Sequence, residues 1–218
     1  MSGREPAPLL IFPCNGNGLE ALDCLGQNWQ CVGFIDDSIE KQARDVHGYR
    51  VTGRATFADQ AEAWVLAVPG GPESYRSRKQ VIEGLQLPSE RFARVIHPAA
   101  RVSTFTTLGH NVLLMAGVVV TSNAVVGNHV CVLPNTVIHH DTVIGDWSLI
   151  GSNVTIAGGV TIGQNCYIAS GSSIMHGIRI GDGALIGIGS NVIRDVAAET
   201  CVAGNPARPL RSGRHSQR

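Results

Sequence analysis

An aliphatic residue returns at every sixth position through the second half of the chain. The series runs from Val102 to Val192, and each of its sixteen members is Ile, Leu or Val. They are Val102, Leu108, Leu114, Val120, Val126, Val132, Ile138, Ile144, Ile150, Ile156, Ile162, Ile168, Ile174, Ile180, Ile186 and Val192. A short repeat of fixed length is typical of a solenoid. Each unit is therefore predicted to be one short strand and a turn, with the aliphatic residue facing inward.

Three such units would close one triangular coil. About fifteen units, stacked at the ~4.8 Å spacing of neighbouring strands, would give about five coils in a prism roughly 24 Å tall. Glycine, which suits tight corners, accounts for 26 of the 218 residues and often follows the aliphatic residue. The fifth position of each unit is mostly small or β-branched. Residues 99–210 are therefore predicted to form a left-handed parallel β-helix of hexapeptide repeats.

The first half follows a different pattern, in which apolar runs alternate with helical stretches. Strands are predicted at residues 8–13, 30–35, 63–68 and 92–96, and helices at 19–25 and 74–85. Strand, helix and strand at this spacing indicate a small parallel sheet with crossover helices. Residues 1–98 are therefore expected to form a Rossmann-like βαβ domain, which makes the fold class α/β followed by a β-solenoid.

Charge and composition exclude several classes of protein. The chain balances 17 basic against 17 acidic residues, so it lacks the electrostatic footprint of a protein that binds nucleic acid or an anionic membrane. Its six cysteines form no Cys-x-x-Cys pair, which favours reduced, buried thiols. No apolar run is long enough to span a membrane, and the first residues lack the features of a signal peptide. We expect a soluble, cytoplasmic protein with a basic, disordered tail at residues 211–218.

The period of the coils brings His140 next to a glycine. His140 is the third residue of its unit, so Gly158 should lie at the same corner of the next coil, and His176 one coil further. A base beside a bare glycine N–H suits attack on a thioester: His140 would take a proton from the nucleophile, and the Gly158 N–H would hold the developing oxyanion. Asp141 would orient the imidazole, provided that the pair sits at a corner. The alternative is that His140 is only a surface residue.

The loop after the first strand resembles part of a dinucleotide-binding fingerprint. Gly16-x-Gly18-x-x-Ala21 follows a strand, and Asp36 ends the next strand, where an acid can bind ribose hydroxyls. A dinucleotide-dependent oxidoreductase would need a larger sheet than the four predicted strands. One nucleotide half-site is therefore the better interpretation. Its candidate residues are Asn15, Gly16, Asn17, Asp36, Asp37 and Gly70.

Several histidines raise the question of a metal site. Some hexapeptide β-helices are γ-class carbonic anhydrases, which bind zinc through histidines that include a pair five residues apart. No such pair occurs here, and the adjacent His139 and His140 have the wrong geometry for one zinc ion. We therefore predict no metal. The histidines considered were His97, His110, His129 and His176.

Five segments carry a family resemblance over about residues 8–210. They are Gly33–Asp37, Ile96–Pro98, Val137–Gly145, Ala157–Gly163 and Gly204–Arg208. With the βαβ domain upstream, they resemble the bacterial nucleotide-sugar acyltransferases of the PglD/NeuD type. The resemblance implies a nucleotide-sugar site in the first domain, an acetyl-CoA site on the β-helix, and a homotrimer with active sites between neighbouring prisms.

The resemblance also assigns roles to residues. It implies that His140 is the general base, with Asp141 and Gly158 beside it, in N-acetylation of a nucleotide-linked amino sugar such as a 4-amino-4,6-dideoxyhexose for surface glycans. The co-substrate would be acetyl-CoA, without a metal. The implied acetyl-CoA contacts are Leu149, Gly158, Ser170, His176, Ile188 and Arg208. Two positions depart from the family, which has a loop histidine at Asn17 and a second histidine at Leu149.

Two other functions remain open from the sequence. An O-acyltransferase that acts on a sugar such as sialic acid would use the same base and oxyanion donor, and amino and hydroxy sugars offered side by side would separate the two. A non-catalytic nucleotide-sugar-binding module would release no CoA. The sequence identifies neither the nucleotide nor the sugar.

Overall fold

The computed structural model describes residues 5–210 of the chain. The predicted tail at residues 211–218 lies outside these residues. Within the described range, no helix has the length and apolar character needed to cross a membrane. The structure consists of an N-terminal sheet with short helices and a three-sided β-helix.

The N-terminal sheet has five strands in the order β3-β4-β2-β1-β5. The strands are β1 (Ala7–Phe12), β2 (Trp29–Ile35), β3 (Asp45–Val46), β4 (Tyr49–Thr52) and β5 (Trp64–Ala67). The helices are α1 (Gly16–Glu20), α2 (Ile39–Gln42), α3 (Thr56–Asp59) and α4 (Arg78–Glu83), and 3₁₀ turns cover Ala21–Cys24, Tyr75–Ser77 and Ser89–Arg91. All neighbours are parallel except β3 and β4. The pair β3 and β4 was absent from the sequence prediction.

The β-helix is built from two-residue strands. They are β6 (Val95–Ile96), β7 (Arg101–Val102), β8 (Thr107–Leu108), β9 (Leu113–Leu114), β10 (Val119–Val120), β11 (Val125–Val126), β12 (Cys131–Val132), β13 (Val137–Ile138), β14 (Val143–Ile144), β15 (Leu149–Ile150), β16 (Thr155–Ile156), β17 (Thr161–Ile162), β18 (Tyr167–Ile168), β19 (Ser173–Ile174), β20 (Arg179–Ile180), β21 (Leu185–Ile186) and β22 (Asn191–Val192). The longer β23 (Cys201–Gly204) and β24 (Ala207–Pro209) form a closing hairpin. Every third strand pairs in parallel, which produces the three sides of the prism.

The predicted six-residue series forms the core of the prism. Each of its sixteen members is the second residue of a strand from β7 to β22, and all except Val102 and Leu108 are buried. The fifth position of each unit fills the remaining space. Except at Ser190, its hydroxyls donate to the backbone fifteen residues ahead. The buried Thr136 Oγ1, for example, donates to the Gly151 carbonyl at 2.7 Å. The core is therefore apolar without unpaired hydroxyls at these positions.

The passage between the two halves differs from the prediction of a single strand at residues 92–96. Phe92 bridges to Val65 in the N-terminal sheet, but Val95–Ile96 pairs with Leu113–Leu114 in the β-helix. The chain therefore enters the prism before residue 98, because the backbone hydrogen bonds change partner within three residues.

One face of the prism is covered by the N-terminal sheet. This face, called the docked face, is the outer surface of the sheet that contains Leu113, Cys131 and Leu149, which share a buried cluster with Leu9 and Phe34. The prism edge beside it carries Trp147 at a corner and is called the Trp147 edge. The edge opposite the docked face carries His140 and is called the His140 edge. Contacts with the N-terminal half concentrate on the docked face and the Trp147 edge.

A fully buried arginine holds the Trp147 edge to the N-terminal half. The side chain of Arg78 is 0% exposed and donates hydrogen bonds to the carbonyls of Pro69, His129 (2.6 Å) and Trp147 (3.0 Å). Burial lowers the pKa of the guanidinium to about 10. Beside it, Asn111 forms two hydrogen bonds with the backbone of Ala67 at 2.7 and 2.8 Å. These polar contacts fix the orientation of the N-terminal sheet on the prism, which apolar packing at the docked face alone would leave free.

We predict that Arg78→Met destabilises the protein strongly while preserving side-chain volume. The substitution leaves buried carbonyls without donors, which should lower the free energy of unfolding by about 3 kcal/mol and the melting temperature by roughly 10 °C. Calorimetry checks this, with Arg94→Met as the control, because Arg94 is an exposed arginine that also donates to one backbone carbonyl. Equal stability of the two variants would contradict the role of Arg78.

Candidate functional site

His140 and Asp141 form a hydrogen-bonded pair at a corner of the prism, as the sequence argument required. Nδ1 of His140 lies 2.7 Å from Oδ2 of Asp141, and each side chain is 56% exposed. The pair sits between Ile138, which ends β13, and Val143, which begins β14. Hydrogen bonds from His140 and then from Asn123 lower the pKa of the Asp141 carboxyl. The carboxylate is therefore suited to hold the Nδ1–H tautomer and leave Nε2 as the basic nitrogen.

Gly158 lies directly against the imidazole of His140. A Cβ added to Gly158 would stand 2.6 Å from both Cε1 and Nε2 of His140, so only glycine leaves room for the ring. The N–H of Gly158 has no acceptor among the described residues. At equivalent positions, the N–H of Ser152 and of Gln164 is capped by a side chain one coil further. The Nε2 of His140 thus lies against Gly158, whose backbone N–H is uncapped, at one corner of the His140 edge.

The structure divides the six implied acetyl-CoA contacts between several places. His176 joins Gly158 on the His140 edge, since a Cβ on Gly159 would lie 3.5 Å from its Cε1. Ser170 and the 79% exposed Ile188 lie along the third edge of the prism. Arg208 is exposed in β24 and lines a cavity of about 510 Å³ at the end of the prism.

Leu149 differs from the other five positions. It is 2% exposed and belongs to the cluster between the β-helix and the N-terminal sheet. The structure therefore does not bring Leu149 to His140 within one chain, because the residue faces the docked face and not the His140 edge.

The glycine-rich loop and the loop after β5 are tied together. Asn15 caps the short α1 by accepting from Gly18 N–H at 2.8 Å, and its amide donates to the Val68 carbonyl at 3.3 Å. The Asn17 amide donates to the Gly70 carbonyl at 3.3 Å. Asn17 thus links the two loops at the position where the family has a histidine. Gly16 leaves open space, because a Cβ there would meet nothing within 4 Å.

The carboxylate of Asp36, which was expected to bind ribose or base, has hydrogen-bond partners within the protein itself. Its carboxylate accepts from Cys14 N–H at 3.0 Å and Ser38 N–H at 2.9 Å, and it pairs with Lys41 at 3.0 Å. Only 5% of Asp36 is exposed. The carboxylate therefore joins the loops after β1 and β2, and both of its oxygens have partners within the protein.

Lys41 and Arg54 are the cations at this edge of the sheet, and the sequence argument missed both. The Lys41 ammonium donates to the Cys14 carbonyl at 2.8 Å and remains 44% exposed. Arg54 pairs with Asp37 through two hydrogen bonds of 2.6 and 2.7 Å. The sequence did contain a signal for Lys41, because it follows Asp36 by five residues and lies in the first turn of α2.

His110 and His129 are packed between the β-helix and the N-terminal half. Nε2 of His110 lies 3.1 Å from Nε2 of His129 at the Trp147 edge, and His129 stacks on Trp147. Burial, followed by the charges of His110 and Arg78, lowers the pKa of His129 to about 4, so the ring stays neutral. Among residues 5–210, no three His, Cys, Asp or Glu side chains cluster as metal ligands.

The β-helix matches models of known transferase repeats. The family described as bacterial transferase hexapeptide (six repeats) matches residues 105–140, 123–158 and 159–194. The hexapeptide repeat of succinyl-transferase matches residues 141–176. These segments contain the His140 edge, including His140 and Gly158. No curated protein matches the chain significantly in sequence.

Solved structures are similar over nearly the whole chain. Perosamine N-acetyltransferase from Caulobacter crescentus, solved with CoA and GDP-perosamine, is 23% identical, with 97% of this chain and 100% of that one covered and a TM-score of 0.82. The acetyltransferase domain of PglB from Neisseria gonorrhoeae, solved with acetyl coenzyme A, is 25% identical, with 94% and 100% covered and a TM-score of 0.82. WeeI from Acinetobacter baumannii is 22% identical, with 94% and 99% covered and a TM-score of 0.62.

These comparisons define the class of the protein. It combines a Rossmann-like N-terminal sheet with a left-handed β-helix of transferase hexapeptide repeats. The resemblance to nucleotide-sugar acyltransferases of the PglD/NeuD type, first indicated by five short segments, is confirmed.

We predict that Gly158→Ala reduces turnover by displacing the His140 ring. The new methyl would occupy the space of Cε1 and Nε2, so kcat for acyl transfer should fall by about 10²-fold, as for loss of a positioned base. Steady-state kinetics check this. Gly159→Asn is the control, because asparagine tolerates the positive φ of 70° at this position and its Cβ would stand beside His176 instead. Similar kcat values for the two variants would contradict the importance of the contact between His140 and Gly158.

Proposed function

We propose that the protein is an acetyl-CoA-dependent N-acetyltransferase of a nucleotide-linked amino sugar. The observation that carries the proposal is the pair formed by the His140 imidazole and the uncapped N–H of Gly158. The similar structures from Caulobacter crescentus and Neisseria gonorrhoeae, which hold CoA with GDP-perosamine and acetyl coenzyme A, support this assignment. Acetyl-CoA is a co-substrate, and the proposed reaction uses no metal.

The geometry accounts for each step of acyl transfer. The sugar amine attacks the thioester carbonyl while Nε2 of His140 accepts the amine proton, and the carbonyl oxygen becomes an oxyanion beside the Gly158 N–H. The C–N bond forms, the C–S bond breaks, and CoA leaves as a thiolate that can take the proton from the imidazolium. Asp141 stabilises the imidazolium through the 2.7 Å hydrogen bond to Nδ1. No acyl-enzyme forms.

We assign the nucleotide end of the sugar to the carboxyl ends of β1, β2 and β5. Parallel strands direct the loops that follow them to one edge of the sheet, where nucleotides bind in open α/β sheets. Lys41 is the cation held there by Cys14 and Asp36, and it suits a diphosphate. The loop residues Asn15, Gly16, Asn17 and Gly70 border the same crevice. Asp37, which Arg54 orients, is the accessible carboxylate for base or ribose.

The long acetyl-CoA molecule would extend from Gly158 along the β-helix. His176 lies on the same edge, and Ser170, Ile188 and Arg208 mark the surface beyond it, where Arg208 suits the phosphates of CoA. Leu149 is not assigned a contact with acetyl-CoA bound along the same chain, because it is buried at the docked face.

We further propose that the active protein is a homotrimer with shared sites. The N-terminal sheet covers the docked face, which lies opposite the His140 edge, so a nucleotide held by its own sheet stands on the wrong side of the prism. The other two faces carry exposed apolar side chains, including Val125 and Val143 at 40% and Met175 at 50%. A threefold arrangement would bury these faces and place the sheet of one copy at the His140 edge of the next.

The same base would also accept a proton from a sugar hydroxyl. We assign an amine as the acceptor because the similar enzymes are acetyltransferases, one of them named as an N-acetyltransferase. A cytoplasmic location and a role in the assembly of surface glycans such as O-antigen fit these substrates. The neutral chain supports no proposal of a nucleic-acid or membrane partner.

We predict that His140→Ala lowers kcat by ~10²- to 10⁴-fold, the usual contribution of a positioned general base. Both KM values should stay within a few-fold, because the imidazole acts mainly in the transition state. Release of CoA thiol from acetyl-CoA with a panel of nucleotide amino sugars measures this. His139→Ala and His176→Ala are the controls: both should keep most of kcat, and His176→Ala should raise only the KM for acetyl-CoA, which it is proposed to contact. A wild-type kcat in His140→Ala would refute the proposed mechanism.

A further inference from the structure

The His140 edge has a polar chain that begins one coil before the catalytic pair. The corner residues of successive coils on this edge adopt positive φ: 60° at Asn123, 58° at Asp141 and 70° at Gly159. Only glycine, asparagine and aspartate adopt this conformation readily. Asn123 and Asp141 therefore stack directly, because residues eighteen apart occupy equivalent corners of neighbouring coils.

The two oxygens of Asp141 have different partners. Nδ2 of Asn123 donates to Oδ1 at 3.1 Å, and Nδ1 of His140 lies 2.7 Å from Oδ2. The Asp141 N–H donates to the carbonyl of Ser122 at 3.1 Å, so the backbone of this corner is fixed as well. Because Asp141 is exposed, its carboxylate would otherwise rotate in solvent. The amide of Asn123 is the contact from the neighbouring coil that holds one rotamer.

We propose that Asn123 is a positioning residue for the acyl transfer assigned above. It orients Asp141 so that the free oxygen holds the Nδ1–H of His140, which leaves Nε2 unprotonated toward Gly158. This inference rests on the proposed function, but the orientation of the imidazole can be observed without any substrate. Asn123 itself forms no hydrogen bond with His140 or Gly158, and its side chain acts through Asp141.

Asn153 provides a matched control for Asn123. It is also an exposed asparagine at a corner, with φ of 54°, but it lies on another edge of the prism. Its side chain forms no hydrogen bond within residues 5–210. Substitution by glycine preserves the backbone conformation at both positions, so Asn123→Gly and Asn153→Gly differ only in the contact with Asp141.

The test combines the histidine tautomer with kinetics. Nitrogen chemical shifts of labelled histidine report which ring nitrogen is protonated, and His140→Ala identifies the His140 signal. In Asn123→Gly we expect the signal to move from the Nδ1–H toward the Nε2–H tautomer, and kcat to fall about tenfold with both KM values unchanged. Asn123→Asp, which keeps the shape and loses the donor, should show the same change of tautomer. Asn153→Gly should match the wild type in both measurements.

The outcomes separate this proposal from the proposed function. A wild-type tautomer in Asn123→Gly overturns the positioning role, as does an equal fall in melting temperature of the two glycine variants without a kinetic difference. A changed tautomer with wild-type kcat would establish the positioning and refute His140 as the base of the reaction.

Discussion

The stacking of coils eighteen residues apart is the constraint on which the rest of the molecule depends. Each two-residue strand pairs in register with the strand one coil away, as Val137 and Ile138 pair with Thr155 and Ile156. Every corner therefore has a fixed neighbour above and below. That register places the ring of His140 over Gly158 and the carboxylate of Asp141 over Asn123. The chemistry of the site is thus set by backbone hydrogen bonds and not by a mobile loop.

The second constraint is the rigid attachment of the N-terminal half. Leucines and cysteines of the docked face supply the apolar area, but such contacts are weakly directional. Arg78 adds direction, because its three carbonyl acceptors belong to the loop after β5 and to two corners of the prism. A guanidinium without a carboxylate partner is retained in the interior by those three carbonyls. The loops that would hold the nucleotide are thereby fixed relative to the prism.

Periodicity explains what the sequence could predict. The inward residues of the β-helix and the position of Gly158 beside His140 follow from one spacing, so they were predicted to the residue. The strands β3 and β4 carry no such signal, since Asp45–Val46 and Tyr49–Thr52 are short and flank a tight turn. The contacts of Asp36 could not be predicted, because its partners Cys14 and Lys41 come from another loop and another helix. Arg78 lies in α4 and was not singled out from the sequence, because its burial depends on how the N-terminal half packs against the prism.

The central claim is that the base of one copy works on a nucleotide sugar held by the next. Mixed trimers of His140→Ala and Lys41→Met chains, purified through two different tags, test it most directly. Each variant alone should be nearly inactive at low substrate concentration. A mixed trimer should recover about one wild-type site in three, because one interface then combines an intact Lys41 with an intact His140. Mixed trimers no more active than the separate variants would show that both residues act within one chain, and the account of a shared site would be wrong.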